Sequence, residues 1–298
     1  MGTIFQELQR ILSLQKARGI DSAWISPENL KAFYQPTFLS RQPAAHVAVP
    51  SALPNAQPPV QKPLQPKAVS QAAYQTRFQG LDMNSTTRQE PTLSPMPDVS
   101  SADWDVLKET ALACHACRLY AGRRNMVFED GCRQARVMFI GEGPGEDEDK
   151  QGVPFVGRAG QLLTRMILAM GLDRNSQDPA KAAYIANIVK CRPPGNRNPA
   201  PDEGSVCIAY LKRQIQLVNP EVIVLLGNVP LSFLLGKSGI TRLRGQWLNY
   251  GAIPVMPTFH PAYILRFESN RVKFIEEKRK VWVDLQQVMA KLGLPLPK

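Results

Sequence analysis

Between residues 137 and 160 the chain reads VMFIGEGPGEDEDKQGVPFVGRAG, a stretch with few ways to fold. Val137 to Ile140 make a short apolar run with turn chemistry directly behind it. That pattern predicts a buried parallel strand ending in a loop. Gly141, Gly143 and Gly145 let the backbone approach a ligand closely. Four acids follow, Glu146 to Asp149, then apolar Phe155 and Val156. Arg158-Ala159-Gly160 then opens a helical pattern of Leu162, Leu163, Met166, Ile167 and Met170. Loops at the carboxyl ends of parallel strands are where open α/β sheets bind ligands. The plainer reading is a Gly-rich turn beside a solvated acidic stretch, but apolar residues so near the acids favour a site. The glycines form neither G-x-G-x-x-G before a helix nor G-x-x-x-x-G-K-[ST], so neither nucleotide-binding fingerprint is present.

Three more apolar runs of strand length follow: Ala183–Val189, Val222–Gly227 and Ile253–Phe259. Helical patterns lie between and after them at 203–218, 228–236 and 270–291, the last basic and amphipathic. Strands alternating with helices predict a three-layer α/β/α sandwich with a central, mainly parallel four-stranded sheet. Pro254 and Pro257 predict an edge position for the last strand, and Thr241–Gly245 reads as a basic loop. In this order the glycine stretch, the basic Pro-rich loop at 190–199 and His260 fall at strand carboxyl ends, on one rim.

Residues 103–113 read as a helix capped by Asp103 and lead into Cys114-His115-Ala116-Cys117. Cys191 and Cys207 come later. A C-x-x-C pair alone fits zinc, an iron–sulfur cluster or redox thiols. Spacing does not choose among them, although five cysteines in a reducing compartment favour metal ligands or core thiols over disulfides. Asn187 interrupts an apolar strand, and His260 ends another. Taken alone, each is as well explained as a satisfied core residue.

The net charge is +11, of which +9 belongs to residues 104–298, so a polyanionic partner such as nucleic acid is favoured for that part. No run of about 18 apolar residues predicts a membrane span, and no secretory leader pattern opens the chain. A cytoplasmic, nucleoid-associated monomer is the expectation. Residues 1–35 carry short amphipathic patches, including Ile4, Phe5, Leu8, Ile11 and Leu12. Residues 36–102 read as a Pro/Gln-rich linker, with His46 solvated, and residues 103–298 as the folded domain. The N-terminal helix either packs on the domain, self-associates or recruits a replication or repair protein.

Three strings resemble the motifs of the family 4 (iron–sulfur) uracil-DNA glycosylases. They are the 141–160 stretch, N-I-V-K-C-R-P-P-G-N-R-N-P at 187–199, and H-P-A-Y-I-L-R at 260–266. The resemblance covers roughly residues 105–290. It implies hydrolysis of the N-glycosidic bond of deoxyuridine in DNA, releasing uracil and leaving an abasic site for base excision repair. It also implies a [4Fe–4S] cluster on Cys114, Cys117, Cys191 and Cys207, with Cys132 an ordinary thiol and His115 a neighbour. By the same resemblance Phe155 stacks on the flipped uracil and Asn187 reads its Watson–Crick edge. Glu148 crowds carbon 5 against thymine, and His260 donates to uracil O2.

Gly143 stands where better-known uracil glycosylases carry a water-positioning aspartate. Glu142 and then Asn196 are the candidates for that task. Arg192, Arg197, Leu265 and Arg266 are expected at the DNA. The rival readings are a non-catalytic iron–sulfur DNA-binding module on the same fold, a redox or zinc-structured protein, and a glycosylase with wider substrates such as hypoxanthine or xanthine.

Overall fold

The computed structural model describes residues 93–296. The amphipathic segment at 1–35 and nearly all of the expected linker lie outside them. The described chain runs α1 (Trp104–Leu112), β1 (Asp130–Gly131), β2 (Val137–Gly141), α2 (Glu146–Gln151), α3 (Arg158–Ala169), β3 (Tyr184–Asn187) and α4 (Pro201–Val218). It continues with β4 (Val222–Leu226), α5 (Asn228–Leu235), α6 (Ile240–Leu243), β5 (Leu248–Tyr250), β6 (Ile253–Thr258), α7 (Pro261–Leu265) and α8 (Arg271–Lys291).

The strands form one sheet in the order β1-β3-β2-β4-β6-β5. β2, β3, β4 and β6 are parallel, with Phe139 beside Ile185 on one flank and Val224 on the other. These are the four strands read from the sequence. The sheet has six because β1 pairs antiparallel with β3, and β5 with β6. Strands of two and three residues are too short to show a period. β6 is therefore not an edge, against the expectation from its prolines. β5 covers only Ile253–Val255, and the Pro257 carbonyl beyond it accepts from Gly245 N at 3.0 Å.

Both faces of the sheet are covered, which is why its strands read as unbroken apolar runs. Successive side chains alternate sides. Met138 and Ile140 pack with Leu107, Tyr210, Leu211 and Ile215 under α1 and α4. Val137 and Phe139 pack with Leu162, Met166, Trp282 and Leu285 under α3 and α8.

Local signals account for most helix ends. The Asp103 side chain accepts from the backbone N–H of Asp105 and Val106, capping α1. Pro201 occupies the first turn of α4, where its missing N–H costs nothing. Gly236 closes α5 at φ +64°. Two stretches read as loops are helical. The acids Glu146–Asp149 form the first turn of α2, where negative charge meets the positive end of the helix dipole. Ile240–Leu243, overlapping the start of the basic loop at 241–245, make the single turn α6. The fold also begins earlier than residue 103: Val99 and Ala102, which the sequence placed in the linker, are buried in the core.

Candidate active site

The rim forms where β2, β3 and β6 end. Gly141 closes β2 and Asn187 closes β3 in register with it. A Cβ on Gly141 would lie 2.4 Å from Asn187 Oδ1 and 2.5 Å from Phe155 Cζ. The missing side chain thus lets an amide and an aromatic ring meet against the β2 backbone. Asn187 is 2 % exposed, and its Oδ1 is buried without a hydrogen-bond partner. An orphaned buried acceptor costs about 1–3 kcal/mol unless something else completes it. A ring N–H entering the site would do so.

Phe155 is buried, and its ring centroid stands 5.6 Å from that of His260, the planes inclined by 34°. Its backbone is left-handed, with φ at +55°. Gly160 makes room for this turn, since a Cβ there would fall 1.9 Å from the Phe155 carbonyl carbon and oxygen. Glu148 holds the same turn. Its Oε1 accepts from Val156 N at 2.9 Å and Gly157 N at 2.8 Å, and its Oε2 accepts from Gly145 N at 3.1 Å. The carboxylate expected beside carbon 5 of the base is therefore bonded to three backbone N–H groups of the first loop.

His260 follows β6 and caps α7, its Nδ1 accepting from Ala262 N at 3.1 Å. With Nδ1 an acceptor, the neutral imidazole carries its hydrogen on Nε2. Burial, aided by the nearby Arg266 cation, lowers its pKa from 6.5 to about 4. It is therefore neutral at pH 7 and donates one hydrogen bond without carrying charge.

Gly143 abuts Val189, with 2.6 Å from its virtual Cβ to Val189 Cγ2. Glu142 is half-buried, and burial raises its carboxyl pKa, which makes the carboxylate a better proton acceptor. Asn196 differs from it. Its side chain is exposed, and its Oδ1 accepts from Arg192 Nε at 2.8 Å. Arg197, expected on phosphates, makes paired bonds of 2.7 and 2.8 Å to the buried Glu203 carboxylate. Leu265 is half-buried at the end of α7, and Arg266 next to it is exposed. Asp149 is also spent inside the fold, accepting from Arg124 N at 2.8 Å.

Cys114, Cys117, Cys191 and Cys207 line one cavity, although they come from three separated segments. Arg123 donates to Cys191 Sγ at 3.3 Å, and the Lys190 backbone N–H to Cys207 Sγ at 3.3 Å. Burial pushes the thiol of Cys117 up to about 11 and that of Cys207 up to about 12. Four thiols with donors aimed at two of the sulfurs suit a tetrathiolate-held metal group. Among the described residues no group of three or more His, Cys, Asp or Glu is drawn together around a point where a single metal ion could sit. Cys132 lies elsewhere, against Gln134 and the Gln177 carbonyl.

Reading the sequence missed several residues that hold this arrangement. Arg174 grips the turn at Phe155. Lys190, fully buried, donates to the Asn187 carbonyl at 3.0 Å and to Gln214 at 2.6 Å. Asp284 accepts from Thr258, two residues before His260, and from Arg244. Glu203 alone carried a signal, standing three residues after the α4 cap where a capping carboxylate belongs.

An aromatic ring, a buried amide with an unpartnered acceptor and a neutral imidazole thus meet where the parallel strands of the sheet end. The chain belongs to the uracil DNA glycosylase superfamily, whose family model matches residues 128–286. It is 45 % identical over 174 residues to the type-4 uracil-DNA glycosylase of Thermotoga maritima, covering 57 % of this chain and 88 % of that protein. It is 43 % identical over 184 residues to the type-4 uracil-DNA glycosylase of Sulfurisphaera tokodaii, covering 58 % of this chain and 80 % of the relative. With the type-4 enzyme of Saccharolobus solfataricus the identity is 42 % over 187 residues, covering 59 % and 84 %.

Proposed function

We propose that the chain is a monofunctional uracil-DNA glycosylase that begins base excision repair. The observation that carries this reading is the buried, unpartnered Oδ1 of Asn187 beside the Phe155 ring. An amide offers one acceptor and one donor side by side, matching the N3–H and O4 of uracil. Cytosine presents the reverse order, and pairing it would leave buried groups unsatisfied. The nucleotide leaves the stack, which costs a few kcal/mol and is easiest for mispaired or single-stranded bases. Its base then enters against Phe155. Glu148 keeps the wall of the pocket in place and so helps exclude the methyl group of thymine.

As the bond between C1′ and N1 breaks, its electrons pass to the base and the sugar becomes oxocarbenium-like. Nε2–H of His260 donates to the developing charge on O2, with backbone N–H groups of the first loop assisting. A neutral imidazole is a very weak acid, so it stabilises the anion through a hydrogen bond while keeping its own proton. Water adds at C1′, and Glu142, with its raised pKa, accepts the water's proton. Asn196 is the weaker candidate because Arg192 already occupies its amide oxygen. Arg192, Leu265 and Arg266 face the DNA, and Arg197 serves instead to hold the 192–198 loop to α4.

Cys114, Cys117, Cys191 and Cys207 would hold a [4Fe–4S] cluster. Bound there, the cluster supplies a cross-link between α4, the loop after β3 and the segment after α1. Residues 103–298 make the catalytic domain with the short lead-in from residue 93, and residues 1–35 recruit a repair or replication partner. The enzyme acts as a monomer in the nucleoid. No helix among the described residues is long and apolar enough to cross a membrane.

The test is product identification. Wild-type protein incubated with a uracil-containing oligonucleotide releases free uracil, measured by chromatography. Asn187→Ala still binds the oligonucleotide and loses release by about 10²–10³-fold. Salt-dependent binding by the wild type with no free base would favour the non-catalytic DNA-binding module instead.

A further inference from the structure

Phe155 takes a backbone conformation that bulky residues rarely adopt, so the protein must hold it there. Glu148 takes the N–H groups that follow it. The carbonyls on the other side are taken by one guanidinium. Arg174 donates from Nη2 to Pro154 O at 2.6 Å and from Nη1 to Phe155 O at 2.7 Å. The same Nη1 reaches Thr164 Oγ1 at 3.1 Å, and Nε reaches Asp130 Oδ2 at 2.7 Å. Arg174 is 8 % exposed and lies in the loop after α3, outside the three motif strings. A planar fork can hold two successive carbonyls on two nitrogens and a carboxylate on a third, whereas an ammonium has a single nitrogen and no fixed plane with which to set all three.

We propose that Arg174 is a positioning residue for base recognition: its guanidinium locks the 154–155 carbonyls so that the Phe155 ring stands beside Asn187 as the wall of the base pocket. The inference rests on the uracil reading of that pocket. Without the fork, Phe155 relaxes towards negative φ and its ring leaves Asn187. Base binding then weakens, while contacts to the DNA backbone, made by other residues, persist.

The experiment uses the full chain and two variants, Arg174→Lys and Asp130→Asn. The first keeps a cation but loses the planar, three-nitrogen fork that holds both carbonyls and Asp130 at once. The second keeps the fork and removes the charge that seats it. Readouts are inhibition by free uracil, single-turnover release of uracil, and affinity for an oligonucleotide carrying an abasic analogue. Arg174→Lys should weaken uracil inhibition and slow release by about 10–100-fold. Its affinity for abasic DNA should stay within about threefold of wild type. Asp130→Asn should show the same split at about 3–10-fold, and it carries the test if Arg174→Lys does not fold. Unchanged uracil inhibition in a folded variant, or equal losses for uracil and abasic DNA, would overturn the proposal. Wild-type protein that neither releases uracil nor is inhibited by it would overturn the uracil reading itself and the proposal with it. An active wild type with fully active variants removes the clamp alone.

Discussion

Gly160→Ala isolates the seat of Phe155 from every polar contact. Gly160 lies in the first turn of α3 and has no positive φ, so its backbone accepts alanine. Helix propensity alone would favour the change by about 0.8–1.0 kcal/mol. The structure reverses that sign. The added Cβ would sit 1.9 Å from the Phe155 carbonyl carbon and oxygen and 2.5 Å from its Cα. Ordinary contact is about 3.5–4.0 Å, so the two backbones must part by about 1.5–2 Å. The obstacle is backbone, held on one side by Glu148 and on the other by Arg174, and cannot swing away. Overpacking of this kind costs about 1–3 kcal/mol. At about 2–4 °C per kcal/mol for a domain of this size, melting should fall by about 2–12 °C. Displacing the ring by about 1 Å should cost roughly 10²-fold in release rate. The assay pairs thermal melting with single-turnover uracil release. A variant that melts higher and keeps full activity would refute the reasoning, because α3 would then not be seated on Phe155.

His260 should titrate far below an ordinary histidine: with a pKa near 4 its imidazole stays neutral on acidification from pH 8 to 5, and NMR showing a midpoint near 6.5 would contradict this. Glu142→Gln should remove an acid limb of the pH–rate profile. Burial raises the carboxyl above its ordinary 4.5, so activity falls as pH drops through the raised value, and a limb that survives the substitution belongs to another group. Glu203→Ala leaves the Arg197 guanidinium and the Ala200 N–H without their buried carboxylate. Discounted for the partial exposure of Arg197, urea unfolding should show a loss of about 2–3 kcal/mol, and a loss under about 0.5 kcal/mol would mean that the pair is ornamental. Removing residues 1–92 should leave oligonucleotide activity and melting nearly intact. Removing 1–102 takes Val99 and Ala102 from the core, and equal melting of the two truncations would contradict their packing.

Much of the fold was legible because the parallel strands are buried on both faces and so read as continuous apolar runs, with helix ends marked by capping residues such as Asp103 and Gly236. Convergence of Gly141, Asn187 and His260 on one rim followed from element order, since parallel strands end on the same side. What stayed hidden depends on contacts across the chain. Nothing in the run of acids at 146–149 distinguishes a solvated loop from the first turn of α2. Pro254 and Pro257 suggested an edge because a pattern cannot show that β5 is only three residues long. For Arg197, expected at the DNA, the motif could not show the second partner, the buried Glu203 carboxylate six residues on. Arg174 gave no signal at all, because its function lies in where it reaches, from a loop nineteen residues past Phe155.

If the pocket of Phe155, Asn187 and His260 cuts uracil from DNA, alkali will break the strand at the abasic site it leaves. The most direct test uses wild-type protein purified anaerobically and assayed for iron, with end-labelled oligonucleotides followed by hot alkali. Each oligonucleotide carries a single uracil, single-stranded or opposite guanine or adenine, with thymine and cytosine controls. Cleavage at uracil and at neither control is the predicted result. Intact strands in every lane would contradict the account.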